Sequence, residues 1–377
     1  MEHHAGLDVS LNETSVCIVD GAGKIIRETR VASEPEALVG YFSALEIKVV
    51  RIGLEAGPLS QGLHAALTQA GFEVVLLETR HVKAALSAMT VKTDRRDARG
   101  IAQLLRMGWY RPVHCKTLPA QEVRAIITAR KTLLGKLIDI ELSMRGILRG
   151  FGLKVGRVTR KSFEIRVREL MAGQATLTTI MEGLLNARAT LVAEVAKLHK
   201  KLLEIARVDE ICRRLMTVPG VGALTALTFK TAIDDPTRIA KSRDVGPLFG
   251  LTPGRYQSGE TDIIGKITRV GDVMVRTALF EAATVMLTRS TKSSRLKAWA
   301  LDLVKRRGTK RAIVALARKL GVVLHRIWVD GSTFRCATEG TAMPALPWRA
   351  SLGSFFIGSG LVAAHSAVRR RVQPCRR

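Results

Sequence analysis

The first 80 residues alternate between short apolar runs and stretches that favour turns or helices, and this pattern limits the fold more than any other feature. Three strand-like runs come in close succession, at residues 6–10, 15–19 and 24–30. Helical and strand-like segments then alternate, at residues 34–45, 49–54, 61–70 and 74–77. A hairpin meander followed by alternating helices and strands predicts a mixed α/β sheet with helices packed on it.

Four acidic residues stand where this sheet and a following helix would bring them together. Asp8 lies on the first predicted strand, and Glu55 directly follows the fourth. Asp94 and Asp97 lie at the start of a helix that is predicted from the spacing of the apolar residues after them. Because they are three residues apart, both side chains project from one face of that helix. Taken alone, the pair equally fits an N-terminal turn whose acids interact with the helix dipole. Together the four acids have the layout of ribonuclease-H-like nucleases, in which clustered carboxylates hold Mg²⁺ through oxygen ligands.

The charge of the chain is distributed very unevenly. Residues 1–110 carry 12 basic and 13 acidic side chains, a net charge of −1, so the rest of the chain carries +28 and the total is +27. This excess predicts a polyanionic partner, with nucleic acid preferred to an acidic membrane surface. The five cysteines form no CxxC pair, which predicts a reducing compartment and no structural zinc. With no signal peptide and no apolar stretch of membrane-spanning length, we expect a soluble, cytoplasmic protein.

Two long helical segments follow, and both carry apolar residues at alternating spacings of three and four. They occupy residues 121–147 and 184–205, and each places one arginine, Arg130 or Arg188, at a core position of the heptad. The pattern predicts a helical coiled-coil stalk at residues 119–207 that also helps to form a homo-oligomer. The two helices can pair within one chain or between chains, and an ordinary helical-bundle core fits the same pattern.

The sequence Val-Pro-Gly-Val-Gly lies between two apolar helical segments within residues 215–226, as in a helix-hairpin-helix. Its glycines, Gly220 and Gly222, would let backbone N–H groups approach a phosphate at a helix N-terminus. A plain glycine turn between two helices fits the same residues. With this net charge, nucleic-acid binding is favoured.

Ser258 lies in a predicted glycine-flanked loop that is rich in basic residues. The cations that we predict to contact phosphate groups are Arg255, Lys266, Arg269 and Arg276. A serine that attacks phosphorus needs an exposed position and cations that neutralise the charge of the transition state. No obvious histidine base accompanies it, and taken alone Ser258 is typical of a turn.

Five segments in this order resemble one family, the DEDD transposases of bacterial insertion sequences known as the IS110 family, and within it the IS1111 branch. The segments are Gly-Leu-Asp-Val, Leu-Glu-Ala-Gly, Lys-Thr-Asp-x-x-Asp-Ala, Val-Pro-Gly-Val-Gly and Tyr-Gln-Ser-Gly-Glu. The resemblance covers residues 5–335, and five motifs in register are far more specific than any one of them. It implies a DNA transposase, a serine recombinase guided by a noncoding bridge RNA.

By position, the resemblance makes Asp8, Glu55, Asp94 and Asp97 the Mg²⁺ ligands of a RuvC-like domain, and Ser258 the nucleophile of a transposase domain. In this family the serine forms a covalent bond to a DNA phosphate. The metal cluster of one subunit and the serine of another form a composite site. The resemblance therefore implies a homo-oligomer, a dimer or tetramer, that binds element ends, target DNA and guide RNA.

We therefore predict an α/β plus all-α protein with four parts. These are a RuvC-like domain at residues 1–112, the coiled coil at 119–207, an α-helical transposase domain with the helix-hairpin-helix at 208–335, and a basic tail at 336–377. The family pattern ends before this tail, which we expect to be disordered or to result from a shifted reading frame, with a nucleic-acid-binding tail as the alternative. Two other functions stay open. One is a RuvC-like hydrolytic nuclease or Holliday-junction resolvase, which needs no serine, and the other is a non-catalytic nucleic-acid-binding protein.

Overall fold

The computed structural model describes residues 2–87 and 91–336. The chain divides into two compact units, with the boundary between Thr117 and Leu118. Apart from Cys336, the predicted tail 336–377 lies outside the described residues. No helix in the described ranges is long and apolar enough to cross a membrane.

The N-terminal unit is built on a mixed six-stranded sheet. Its strands are β1 (His3–Val9), β2 (Glu13–Asp20), β3 (Ile25–Ala32), β4 (Val49–Glu55), β5 (Val74–Leu77) and β6 (Pro112–Val113). They lie in the order β3-β2-β1-β4-β5-β6. Strand β2 is antiparallel to β1 and β3, β4 is parallel to β1 and β5, and β6 is antiparallel to β5. The mixed α/β sheet predicted from the sequence is confirmed.

Helices cover both faces of this sheet. They are α1 (Pro35–Ser43), α2 (Ser60–Gln69), α3 (Thr79–Leu86) and α4 (Asp94–Arg106). On one face, Leu7 and Leu54 of neighbouring strands pack with Phe42 of α1 in the main core, and burial of each such side chain contributes about 2 kcal/mol. On the other face, Ala98 of α4 packs against Cys17 of β2. The small alanine lets α4 lie close to the strands.

The C-terminal unit is mostly helical and also contains a β-hairpin. Its helices are α5 (Leu118–Gly150), α6 (Phe163–Met171), α7 (Ala175–Val208), α8 (Glu210–Leu215), α9 (Ala223–Ile233), α10 (Val245–Leu248), α11 (Val273–Thr288), α12 (Arg295–Arg307) and α13 (Thr309–Asp330). The hairpin consists of β7 (Pro253–Ser258) and β8 (Thr261–Ile267). Phe229, Phe249, Leu279 and Leu316 belong to the core between the helices.

The two long helices, α5 and α7, pack against each other within the chain. Arg188, one of the arginines predicted at a core position, is buried and donates to Glu141 Oε1 at 3.0 Å and to Arg160 O at 2.8 Å. These partners compensate the cost of burying its charge. Ile127 of α5 and Leu202 of α7 belong to the same core as α8 to α13. The division into a stalk and a C-terminal domain stays a prediction, as does any pairing of these helices between chains.

Candidate functional site

The positions of two glycines show on which face of the sheet the acids Asp8 and Glu55 lie. Gly6 and Gly53 are partners in the parallel β1–β4 pair, and each stands two residues before one of the acids. Because side chains alternate along a strand, each acid lies on the same face as its glycine. Helix α4 covers that face, since a Cβ added at Gly6 would come within 2.2 Å of Ala98 O, and one at Gly53 would collide with a leucine of α4. The missing Cβ atoms therefore let α4 lie directly over the glycine pair that precedes the two acids.

Helix α4 supplies the other two acids. Its N-cap is Thr93, whose Oγ1 accepts a hydrogen bond from the backbone N–H of Arg96 at 3.3 Å and so fixes the start of the helix at Asp94. Asp94 and Asp97 both lie in the first turn, where the free N–H groups favour negative charge. Asp97 directly precedes Ala98, whose carbonyl oxygen lies against Gly6. Local capping and glycine packing together bring the first turn of α4 close to the strand acids.

The four carboxylates interact electrostatically. The pKa of Asp8 is raised to about 6 by burial and by the negative charges of Asp97 and Asp94. The pKa of Glu55 is also raised, by burial and by the charges of Asp8 and Asp97. Lys92 opposes both shifts, and its Nζ lies 3.9 Å from Asp97 Oδ2. A cation placed among these acids would relieve their mutual repulsion.

The donor chemistry of this cluster fits a hard divalent cation. Carboxylates offer only oxygen ligands, which Mg²⁺ prefers to the nitrogen and sulfur of His and Cys. Among residues 2–87 and 91–336, no group of three or more His, Cys, Asp or Glu side chains is arranged to hold a metal ion. The assignment of Asp8, Glu55, Asp94 and Asp97 as metal ligands stays a prediction.

Glu28 of β3 also belongs to this region, although the sequence did not single it out. It pairs with Cys17 of β2, which pairs with Gly6 of β1, so Glu28 faces α4. Its carboxylate accepts hydrogen bonds from Arg99 Nη2 at 2.7 Å and from Arg95 Nε at 2.6 Å, and its side chain is only 11% exposed. The hydrogen bonds from Arg99 and Arg95 lower the pKa of Glu28 to about 2, against the opposing effect of burial.

These ion pairs fix the rotation of α4 about its own axis. At about 100° per residue, Arg95 and Arg99 lie on one flank of the helix, whereas Asp94 and Asp97 lie on the other. The buried stripe that contains Ala98 runs between the two flanks. Attachment of the arginine flank to β3 therefore directs the acidic flank toward β1 and β4.

Ser258 is the last residue of β7 and does not lie in the loop that the sequence predicted. It pairs with Thr261 of β8 across a tight turn formed by Gly259 and Glu260. Gly259 has a φ of +53°, the left-handed value that the first residue of such a turn can require and that glycine adopts without strain. The strands were missed because they lack a regular alternation of apolar and polar residues. The serine is exposed at the end of the hairpin.

The four cations predicted to contact phosphate have different surroundings. The Nε and Nη2 of Arg255 donate to Asp262 at 2.7 and 2.6 Å, on the hairpin face opposite to the serine. The Nη1 of Arg276 donates to three backbone carbonyls, at 2.8, 3.0 and 3.3 Å, and so holds the chain before α11. Lys266 and Arg269 are exposed. Phosphate contacts by these residues stay predictions.

The two glycines of the Val-Pro-Gly-Val-Gly turn differ in their surroundings. Gly220 has a φ of +90°, and a Cβ there would come within 2.4 Å of Ala282 O, so this glycine lets the turn pack on α11. Gly222 is the N-cap of α9, and no atom lies within 4 Å of the position of an added Cβ. The turn joins α8 to α9, and its contact with a phosphate stays a prediction.

Comparison with known proteins gives matches to two family models. The model of the Transposase IS116/IS110/IS902 family matches residues 212–298, which include the Ser258 hairpin. The model of the IS110-type DEDD transposases matches residues 5–152, which include all four acids.

Two curated relatives are similar over most of their length. The transposase for insertion sequence element IS1111A from Coxiella burnetii is 28% identical over 337 residues, which are 88% of this chain and 91% of the relative. Putative transposase y4pF/y4sB from Sinorhizobium fredii is 29% identical over 300 residues, 77% of this chain and 76% of the relative. Among solved structures, T. thermophilus RuvC in complex with a Holliday junction substrate aligns with 30% of this chain and 100% of its own, at 16% identity. Its TM-score of 0.24 is too low to support an assignment.

Proposed function

Since the chain belongs to the IS110 family of DEDD transposases, we propose that it cuts and rejoins insertion-sequence DNA through Ser258. In this proposal, Asp8, Glu55, Asp94 and Asp97 of a RuvC-like domain bind Mg²⁺. The observation that carries the proposal is the electrostatic coupling of these four acids, which come from two strands and one helix.

Acids that raise one another's pKa destabilise the fold, so their grouping favours a functional role. When bound, Mg²⁺ would stabilise the negative charge that develops on the phosphate. The task of the side chains is to provide ionised oxygen ligands. Since the pKa of Asp8 is about 6, this acid is mostly deprotonated at pH 7 and can serve as a ligand there.

Ser258 attacks the phosphorus of a DNA phosphodiester through its Oγ. A bond from Oγ to phosphorus forms while the bond from phosphorus to one deoxyribose oxygen breaks. The serine proton passes to a base, and the departing oxygen takes up a proton. The DNA end is then held as a phosphoserine ester, and attack by a deoxyribose hydroxyl of another strand reverses these bond changes and joins the DNA.

The position of the serine supports this reaction. Ser258 is exposed at the end of a hairpin whose strands are solvent-accessible along most of their length. A long DNA strand can therefore reach the hydroxyl without a change in the core. The net charge of +27 supports a large nucleic-acid partner. On the family resemblance, we include a noncoding guide RNA and a homo-oligomer in the proposal.

The test is a denaturing gel of the purified full chain with labelled element-end DNA, the cognate guide RNA and Mg²⁺. We expect a DNA–protein adduct with the native chain and none with Ser258→Ala. Gln257→Ala is the matched control, because this neighbouring side chain lies on the opposite face of the hairpin, and it should keep the adduct. Asp94→Asn should abolish both cleavage and adduct. DNA cut to free ends by the Ser258→Ala variant would instead identify a hydrolytic nuclease.

A further inference from the structure

We propose that the hairpin face that carries Ser258 also binds a nucleotide of the DNA strand being cut, with Tyr256 and Ile263 packed against its base. The inference rests on the proposed role of Ser258 and extends it to the adjacent surface. It assigns a ligand, an unpaired nucleotide, to two side chains that belong neither to the core nor to the acid cluster.

The register of the hairpin places these residues on one face. Ser258 pairs with Thr261, and Tyr256 pairs with Ile263. Because side chains alternate along each strand, all four project to the same side. Tyr256 stands two residues before the serine, about 7 Å along the strand, which is comparable with the length of one nucleotide. A strand that runs along the hairpin with one phosphate at Ser258 would therefore place a neighbouring nucleotide over Tyr256.

The exposure of Tyr256 and Ile263 distinguishes them from side chains that stabilise a fold by burial. Tyr256 is 65% exposed and Ile263 is 59% exposed, although aromatic and β-branched residues at paired positions usually stabilise a sheet by burial. The chain has three tyrosines, and the other two, Tyr41 and Tyr110, are half-buried. A large apolar surface kept in water beside a reactive residue favours a binding role.

The chemistry of the two faces indicates which ligand fits. The face of Ser258 carries an aromatic ring, an aliphatic side chain and hydroxyl groups. The opposite face carries the exposed Ile264 together with Arg255 and Asp262, whose charges neutralise each other. Bases stack on exposed aromatic rings with little regard to sequence. A base in a duplex has both faces covered, so the ligand is an unpaired nucleotide, as expected where strands are cut and exchanged. The excess positive charge of the chain attracts such a strand.

The experiment measures binding of the full chain to two fluorescein-labelled probes of equal length, a short thymidine oligonucleotide and an abasic backbone. All proteins carry Ser258→Ala, so that no covalent step contributes. We expect the parent to prefer the thymidine probe about 10-fold. Tyr256→Ala should lose most of this preference, and Tyr256→Phe should keep it because the ring remains. Ile264→Ala is the matched control, since Ile264 is 70% exposed on the opposite face, and it should behave as the parent.

An equal preference in Tyr256→Ala and its parent would overturn the inference. It would also be overturned if sedimentation showed that Tyr256→Ala changes the oligomeric state while the probe preference stays the same, because the face would then be a contact between copies. The binding measurement needs no reaction. If no serine adduct forms but the preference for the thymidine probe depends on Tyr256, the proposed function is contradicted and the inference about Tyr256 is not.

Discussion

Replacing Glu28 by glutamine should lower the free energy of unfolding of the N-terminal unit by about 2 kcal/mol at pH 7. Glutamine has nearly the same size as glutamate and can still accept hydrogen bonds. It has no charge, however, to balance the guanidinium groups of Arg95 and Arg99. The change therefore tests the ion pairs that hold α4 on the sheet, with little effect on packing.

The magnitude follows from the pKa of Glu28. The pKa is lowered from its usual 4.5 to about 2, and one pKa unit corresponds to about 1.4 kcal/mol, so full coupling would contribute about 3.5 kcal/mol. Because the side chain of Arg95 is 65% exposed, solvent screening reduces this value to about 2 kcal/mol. A depressed folded-state pKa stabilises the fold above pH 4.5, and the contribution is lost as the pH falls from 4.5 to 2.

The measurement is urea denaturation of the full chain, with hydrogen exchange of the β3 and α4 amides to assign the transition to the N-terminal unit. Glu13→Gln is the matched control, because Glu13 pairs with Arg30 at 3.5 Å while both side chains are at least 60% exposed. We expect this control to lose less than about 1 kcal/mol. The loss of unfolding free energy caused by Glu28→Gln should fall at pH 3 to about half of its value at pH 7, or less. A deficit no larger than that of the control, or one independent of pH, would refute the reasoning.

In metal-free buffer at pH 7, Asp8→Asn should raise the melting temperature, because an acid with a pKa raised to about 6 destabilises the fold once it ionises. Added Mg²⁺ should stabilise the native chain more than this variant. If Asp8→Asn melts at a lower temperature than the native chain in metal-free buffer, the repulsion among the acids is contradicted. Gly220→Ala should cost about 2 kcal/mol or more in chemical denaturation, because the new Cβ meets a backbone carbonyl of α11 and the left-handed φ strains alanine. Gly222→Ala should cost less than about 1 kcal/mol, and equal losses would argue against this packing. Arg188→Met should cost about 3 kcal/mol, because Glu141 loses its hydrogen-bonded partner and keeps only Arg160, whose Nε lies 3.8 Å from Glu141 Oε1. A double variant with Glu141→Leu should recover much of that loss, and no recovery would show that the ion pair is not its cause.

Much of the acid cluster could be predicted from the sequence because each acid stands at a position that local patterns mark. Asp8 and Glu55 lie where apolar strands end, and the helix of Asp94 begins at the predicted residue, after the cap formed by Thr93. Strand and helix periodicity and capping are properties of neighbouring residues, so they can be recognised without knowledge of the tertiary fold.

The features that were missed depend on contacts between distant parts of the chain. Glu28 meets Arg95 only through the register of three strands and the packing of α4 upon them. The strand that ends at Ser258 depends on the backbone angle of Gly259, which a glycine-rich sequence allows but does not require. One carbonyl partner of Arg276, that of Phe249, lies 27 residues earlier in the chain and is brought beside it by the tertiary fold. Such pairings leave no periodic pattern in the sequence.

The two strand acids occur in one repeated pattern, Gly-Leu-Asp at residues 6–8 and Gly-Leu-Glu at residues 53–55. In each, the leucine enters the core beneath α1 and α2, the glycine makes room for α4, and the acid extends beyond the glycine on the same face. A search for distant relatives would therefore do better with a three-residue pattern than with the acids alone. The pattern is a small residue, then a large apolar residue, then an acid, on each of two neighbouring strands. The same feature limits redesign of the site. Gly6→Ala would keep all four carboxylates and yet displace the helix that carries two of them, because the new Cβ meets the backbone of α4 at Ala98 and Ala102.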